Sequence, residues 1–193
     1  MTRQTRANIL GALFLAGIVS LCLFLGWFWR VRPQHRYDEF ITTAAKRYEI
    51  DPALVKAVIW QESRFDRWAR GKAGEIGLMQ VCEPAALEWA EAEKFSSFDH
   101  EEIVDPQKNI LCGSFYLSKL LKRYKQADNP LPYALADYNA GRTHVLRWNK
   151  GAAKTNSAAF LAQMDYPGTR QYALSIMKQY EHYKKQDGVA RSR

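Results

Sequence analysis

Glu62 is the residue whose type and position best suit acid–base chemistry. Asp51 and Pro52 before it form a pair typical of helix starts, because the Asp side chain caps free N–H groups and Pro suits the first helical position. We expect a helix over 52–64, with apolar residues at helical spacing at Leu54, Val55, Val58 and Ile59. Their apolar stripe is centred on the angular position of Glu62, so this carboxylate lies on the face predicted to be buried.

Burial disfavours the charged form of a carboxylate and raises its pKa toward the range in which it donates a proton near neutral pH. Glu62 therefore has the profile of a general acid. The alternative is a partly buried ion pair with Arg64 or Arg67, since ion-pair networks also perturb carboxylates.

Two further motifs supply polar and soft side chains that could bind a ligand beside Glu62. Ser63 follows it directly, and a glycine-bearing loop then leads to Leu78-Met79-Gln80. A second motif, Tyr138-Asn139-Ala140-Gly141, stands further along the chain.

These residues, taken together, resemble the catalytic domain of the lytic transglycosylases, which has the goose-type lysozyme-like fold. The resemblance rests on five blocks in the family's order, spanning about 120 residues: Glu62-Ser63; Gly77-Leu78-Met79-Gln80; Asn109-Ile110 with Gly113, Tyr116 and Leu117; Tyr138-Asn139-Ala140-Gly141; and Thr169-Arg170 followed by Tyr172. Each block alone is a weak signal, and their combination is specific.

The resemblance implies cleavage of the bond between N-acetylmuramic acid and N-acetylglucosamine in peptidoglycan, without water and without a cofactor. Glu62 would be the single acid and base, and the substrate's own N-acetyl group would replace a second carboxylate, as in substrate-assisted glycosidases. Asp66 and Glu75 are candidates for a second carboxylate, but both are expected to be solvated.

The resemblance also implies roles for five substrate-binding residues. Tyr138 would bring its hydroxyl to the catalytic carboxylate, Asn139 and Gln80 would bond acetamido or carbonyl groups, and Met79 would form a soft wall for the sugar rings. Ser63 would bond near the acetamido group or only help to end the helix. Gly168 stands where the family often has a glutamate, so one polar contact to the glycan is missing or supplied elsewhere.

Two other functions share these features. A goose-type-like muramidase would use the same fold and Glu62 with water as the acceptor. A catalytically silent peptidoglycan-binding subunit of an envelope or secretion assembly would need the fold but not the acid.

The N-terminal region predicts a membrane anchor. Residues 7–29 contain no charged side chain, and 23 residues make about 34 Å of helix, enough to cross a bilayer. We therefore expect a basic N-terminus over 1–6, a transmembrane helix over 7–29 and a juxtamembrane linker over 30–36. The catalytic domain then covers 37–186, followed by a polar tail over 187–193. The flanking arginines, two before the span and three after it, slightly favour a domain that stays inside. The resemblance implies the opposite, the periplasmic side of the inner membrane, because peptidoglycan lies outside that membrane.

The charge, cysteine and histidine content of the chain indicates which classes of ligand and partner are expected. The net charge is +8, but five basic residues and no acidic ones lie in 1–36, which leaves 23 basic against 20 acidic residues in 37–193. No nucleic-acid partner is indicated, and a mildly basic domain suits a polymer bearing carboxylates. Cys82 and Cys112 form a disulfide or remain free thiols, and the four histidines have no ligand spacing, so no metal site is predicted.

The remaining pattern predicts an all-α domain, because sustained alternation of period two is absent. Helices are expected at 37–48, from 84 onward, and at 107–124, 132–141, 143–149, 156–164 and 169–183, with a frayed end from 184 to 193. Gly113 lies within the helix at 107–124, where glycine costs ~1 kcal/mol relative to Ala, so close packing against a neighbour is expected to compensate.

Overall fold

The computed structural model describes residues 3–191, with the side chains of 34–186 and, before them, those of 5, 8 and 10–26. Within that range the chain forms the α-helices α1 (Arg3–His35), α2 (Asp38–Tyr48), α3 (Pro52–Ser63), α4 (Glu83–Ala92), α5 (Pro106–Arg123), α6 (Leu131–Ala140), α7 (Arg142–Trp148), α8 (Ser157–Gln163) and α9 (Pro167–Arg191). The chain divides after Asp38 into two compact units, of which the second holds α3 to α9. The predicted all-α class is confirmed.

Two Asp-Pro pairs start the helices that carry the site. The Asp51 carboxylate accepts from the Ala53 N–H at 2.9 Å, and the Asp105 carboxylate accepts from the Lys108 N–H at 3.0 Å. These caps satisfy N–H groups that have no partner inside the helix. The starts of α3 and α5 therefore lie within one residue of their predicted positions.

The C-terminal helix is longer than the sequence pattern indicated. α9 continues to Arg191, so the predicted frayed end from 184 onward is wrong, and the proposed tail over 187–193 is helical as far as it is described. The segment contains no proline, and it includes the good helix formers Lys184, Lys185, Gln186, Ala190 and Arg191. Two short 3-10 helices, His100–Val104 and Gly151–Lys154, were not predicted.

No helix in the described part of the chain is both long enough and apolar enough to cross a membrane. The structure thus gives no support to the span predicted over 7–29.

A buried ion pair fixes α6 on α5 and thereby places the second motif. Asp137 is 2% exposed and accepts from Arg123 Nη1 and from the Tyr124 hydroxyl, each at 2.6 Å. Asp137 directly precedes Tyr138 and Asn139, so this pairing sets the position of both on α6. Removing one member of such a buried pair leaves an uncompensated charge, which is strongly destabilising.

Candidate active site

Glu62 lies in the last turn of α3, partly buried, where α9 packs along that helix. The Tyr172 hydroxyl of α9 donates a hydrogen bond to Glu62 Oε1. Two more side-chain bonds join the same helices, from Ser175 to Gln61 and from Tyr180 to Asp51, each at 2.8 Å. The catalytic candidate is therefore held between two helices that are bonded along their length.

Burial raises the pKa of Glu62 from 4.5 to about 7. The Tyr172 hydrogen bond acts in the opposite direction because it stabilises the carboxylate, whereas the negative charge of Glu75 raises the pKa further. A carboxyl group with a pKa near neutrality can donate a proton and accept it again. This confirms the expectation that the apolar face of α3 perturbs Glu62.

Asn109 organises the glycine-bearing loop from inside the core. Its side chain is fully buried and accepts from the Met79 N–H at 2.8 Å. It also donates to the carbonyls of Ile76 and Ile103, at 2.8 and 3.0 Å. One amide group on α5 thus satisfies three backbone groups and fixes the segment that ends in Gln80.

Two glycines let the loop approach α5. Gly77 has a φ of +78°, and a Cβ there would lie 2.4 Å from Asn109 Nδ2. A Cβ on Gly113 would lie 2.5 Å from Met79 Sδ and 2.7 Å from Met79 Cβ. The close packing expected at Gly113 is confirmed, and its partner is Met79.

Met79 does not form a wall of the binding groove, contrary to the prediction. The residue is fully buried against Gly113, so a sugar ring cannot reach its side chain. The position of Met79 in the motif next to Gln80 does not indicate whether its side chain faces the core or the groove.

Ser63 and Gln80 bind the loop itself. The Ser63 hydroxyl donates to the Leu78 carbonyl at 2.8 Å, which ties the end of α3 to the loop. The Gln80 amide nitrogen donates to the carbonyls of Ala69 and Gly77, at 3.1 and 2.9 Å. Gln80 therefore retains its amide oxygen to accept from a ligand. The Ser63 hydroxyl also lies 3.2 Å from the Ile59 carbonyl in the last turn of α3, which agrees with a part in ending that helix, and its place near an acetamido group stays a prediction.

The tyrosine that reaches the catalytic carboxylate is Tyr172, whereas the sequence prediction assigned this role to Tyr138. The Tyr138 hydroxyl donates to the Met79 carbonyl at 2.8 Å, so it supports the loop. Tyr138 is still close enough to Glu62 for the carboxylate charge to raise its pKa, in addition to the larger effect of burial. The Tyr138 hydroxyl points to the loop and not to Glu62, and this direction depends on the register of α6 against the loop.

Two cavities share Asn139, and Tyr172, which bonds Glu62, lines one of them. The loop-side cavity has a volume of about 190 Å³ and is lined by Glu75, Gln80, Val81, Cys82, Ala85, Gly113, Tyr116, Tyr138 and Asn139. The α9-side cavity has a volume of about 530 Å³ and is lined by Gln61, Arg64, Asn139, Gly168, Thr169, Gln171, Tyr172 and Ser175. Asn139 is exposed, and its Oδ1 accepts from the Thr169 hydroxyl at 2.8 Å, which leaves its amide nitrogen to donate to a ligand.

The sequence prediction gave no role to Tyr172, Thr169 or Asn109. All three belong to the motif blocks that carry the resemblance, so a signal was present. The spacing of these blocks could not show that Tyr172 bonds Glu62 or that Thr169 orients Asn139, because both contacts join segments far apart in the chain.

Tryptophan rings contact both of the arginines that the sequence offered as ion-pair partners of Glu62. The Arg64 guanidinium lies 3.3 Å from the centre of the Trp60 ring, and Arg67 stacks on Trp68 at 4.5 Å. The hydrogen bond that the structure gives to Glu62 comes from Tyr172 instead.

Cys82 and Cys112 are both free thiols, with Cys82 exposed and Cys112 buried. Of the two alternatives left open by the sequence, the structure has the unbridged one. Burial raises the pKa of the Cys112 thiol, which makes it unreactive.

The model of the transglycosylase SLT domain matches residues 39–161, so the chain belongs to this family. The chain is 37% identical over 113 residues to the membrane-bound lytic murein transglycosylase F of Desulfosudis oleivorans, covering 57% of this chain and 23% of that protein. It is 28% identical over 154 residues to a putative soluble lytic murein transglycosylase of Haemophilus influenzae, covering 79% and 25%.

Among solved structures, the fold is similar to the lytic transglycosylase Slt of Pseudomonas aeruginosa, solved as an inactive mutant. The TM-score is 0.71 at 25% identity, covering 80% of this chain and 24% of that one. The expected lysozyme-like helical fold is thereby confirmed. The chain spans about a quarter of the length of these relatives.

Proposed function

We propose that this chain is a peptidoglycan lytic transglycosylase with Glu62 as its single acid and base. The observation that carries the proposal is the Glu62 carboxyl group, whose pKa is about 7 and which bonds Tyr172 in the wall of the α9-side cavity. That cavity shares Asn139 with the loop-side cavity. A glycan strand lying across both cavities would place one glycosidic bond at this group. The acidic character of Glu62 at neutral pH then fits the first chemical step.

In the first step, protonated Glu62 donates its proton to the oxygen that bridges N-acetylmuramic acid and N-acetylglucosamine. The bond from C1 of the muramyl sugar to that oxygen breaks, and the carbonyl oxygen of the sugar's own acetamido group forms a bond to C1. The product is an oxazolinium ion beside the Glu62 carboxylate, which the Tyr172 hydroxyl stabilises.

In the second step, the 6-hydroxyl of the same sugar attacks C1 while the bond from C1 to the acetamido oxygen breaks. The hydroxyl proton passes to Glu62, which restores the starting acid and leaves a 1,6-anhydro ring. Intramolecular attack has a high effective concentration, provided that the cleft holds the ring in place. Asn139 and the Gln80 oxygen are the side-chain groups we assign to this positioning, as donor and acceptor respectively.

The relatives support this proposal. Both curated relatives are named lytic murein transglycosylases, and the inactive mutant of the Pseudomonas enzyme carries glutamine in place of glutamate. A required glutamate in that enzyme is consistent with an essential Glu62 here.

Digestion of purified peptidoglycan by the full chain in mild detergent tests the proposal. The wild-type protein should release soluble muropeptides, and Glu62→Gln should lower the rate by about 100- to 10,000-fold, the usual contribution of general acid–base catalysis. Glu91→Gln, an exposed acid on α4, is the matched control. Undiminished release by Glu62→Gln would refute the mechanism, and wall binding without any release by the wild type would support the silent binding subunit.

We also propose that residues 7–29 hold the chain at the inner membrane with the catalytic domain on the periplasmic side. One relative is named membrane-bound, and α1 exposes large apolar side chains, among them Leu10, Phe14 and Leu23. Such surface requires an apolar partner, which lipid would supply.

Retention in the membrane pellet after alkaline extraction, with protease access in spheroplasts, is the expected result. Release of the chain by alkali would contradict it, and co-purified envelope or secretion proteins would identify the predicted partners.

A further inference from the structure

Glu75 is held in place by the backbone of its own loop. Its carboxylate Oε2 accepts from the Ala73 N–H at 3.0 Å, and its carbonyl accepts from the Gly71 N–H at 2.8 Å. A Cβ on Gly71 would lie 2.0 Å from Oε2, so the carboxylate occupies space that only glycine leaves open. The side chain is therefore held against the loop, although it remains partly exposed.

The Glu75 carboxylate lies in the loop-side cavity, near enough to Glu62 for its charge to act on that residue. It lines the loop-side cavity beside Gln80, Tyr138 and Asn139, and it is only partly exposed. Its negative charge raises the pKa of Glu62, and the Tyr172 and Tyr138 hydroxyls also lie near enough to Glu62 for the Glu62 charge to raise their pKa values. The Cys82 side chain also lines this cavity.

A fixed anion at this position would stabilise the transition state of the proposed reaction. As the glycosidic bond breaks, positive charge develops on C1 and the ring oxygen and passes to the oxazolinium ion. Preorganised charge aimed at a developing charge stabilises the transition state more than the ground state. Because the Ala73 N–H already bonds Oε2, the carboxylate does not have to reorganise during the reaction.

We propose that Glu75 is a second carboxylate of the active site, which contacts the muramyl sugar and stabilises its developing positive charge while Glu62 alone transfers protons. This inference rests on the proposed function. It assigns Glu75 to the stabilisation of the developing cation. The bonds formed and broken are those of the proposed two-step reaction.

The test compares full-length wild type with Glu75→Gln, Glu75→Asp and Asp66→Asn. Glutamine keeps an oxygen for the Ala73 N–H and removes only the charge. Asp66 is an exposed acid of the same loop whose carboxylate accepts from the Trp68 N–H at 2.9 Å, and asparagine keeps that acceptor. Thermal unfolding of each variant verifies that the loop is intact.

For Glu75→Gln we expect kcat to fall about 10- to 100-fold with KM within about twofold, in the range of a lost electrostatic contact to the transition state. The alkaline limb of the kcat/KM profile should move to lower pH, because Glu62 loses a negative neighbour. Glu75→Asp should restore part of kcat and move the limb back, and Asp66→Asn should match the wild type.

Wild-type kcat and an unmoved alkaline limb in Glu75→Gln would overturn the inference, since a structural side chain would leave both unchanged. A loss of kcat that Asp66→Asn reproduces would also overturn it, because general loop charge would then suffice. Failure of the proposed function is distinguished by the wild type itself, which would release no anhydro product.

Discussion

The Tyr172 hydroxyl donates to Glu62 Oε1 although the two residues lie 110 positions apart in the chain. The bond joins α9 to α3 and steadies the charged form of the acid, so it opposes the effect of burial on the Glu62 pKa. The protonation state of the site thus depends on how the last helix packs on the third.

Tyr172→Phe should move the alkaline limb of the kcat/KM profile to higher pH, because Glu62 loses the donor that lowers its pKa. The value of kcat should fall about 10-fold, since a hydrogen bond to a charged group contributes about 1.5 kcal/mol. Rates measured between pH 5 and 9 check both effects.

Tyr180→Phe is the matched control for this experiment. It removes another hydroxyl of α9 that bonds α3, at Asp51, but it lies away from Glu62. An identical shift in both variants would show that helix packing, and not the Glu62 contact, controls the profile.

Glu62→Gln should make the protein more stable at alkaline pH. The folded-state pKa of Glu62 is raised from 4.5 to about 7, so the wild type loses stability as pH rises through that window. Glutamine does not titrate, and at pH 8 the variant should be more stable by about 3 kcal/mol, with the difference vanishing near pH 4. Urea unfolding at the two pH values measures this, and equal differences at both would be inconsistent with a buried titrating acid.

Asn109→Asp should destabilise the fold by about 3 kcal/mol. The aspartate can still accept from the Met79 N–H, but it cannot donate to the carbonyls of Ile76 and Ile103, and it buries a charge. Urea denaturation measures the effect. Asn129→Asp, where a partly exposed side chain accepts from the Leu131 N–H, should stay within about 0.5 kcal/mol of the wild type, because aspartate keeps that acceptor.

Gly113→Ala should destabilise the fold by about 1 to 3 kcal/mol, the usual range for overpacking. The added methyl group meets Met79 Cβ as well as its sulfur, so the loop that carries Gln80 must shift and activity should fall. Gly168→Ala places its methyl group where nothing lies within 4 Å and should be neutral or slightly stabilising. Calorimetry of both variants checks the contrast in stability, which would disappear if Met79 could simply rotate away. A digestion assay of Gly113→Ala against the wild type checks the loss of activity.

Features that depend on short stretches of sequence were predictable. The Asp-Pro pairs fixed the starts of α3 and α5, and the apolar face of α3 correctly indicated a buried environment for Glu62. These features follow from local capping and helical periodicity.

Features that depend on contacts between distant segments were not predictable. Met79 is a core residue because Gly113 on α5 leaves space for its side chain. The Tyr138 hydroxyl donates to the Met79 carbonyl in the loop, whereas the Tyr172 hydroxyl donates to Glu62. The fixed Glu75 carboxylate likewise depends on the turn that brings Gly71 beneath it. Motif spacing identifies such residues but does not define their neighbours.

The most direct test of the account is mass spectrometry of the muropeptides that the full chain releases from peptidoglycan in heavy-oxygen water. We predict products that are lighter than hydrolytic muropeptides by the mass of one water and carry no heavy oxygen, because the muramyl 6-hydroxyl is the acceptor. Reducing-end muramic acid labelled with heavy oxygen would contradict this and identify a muramidase.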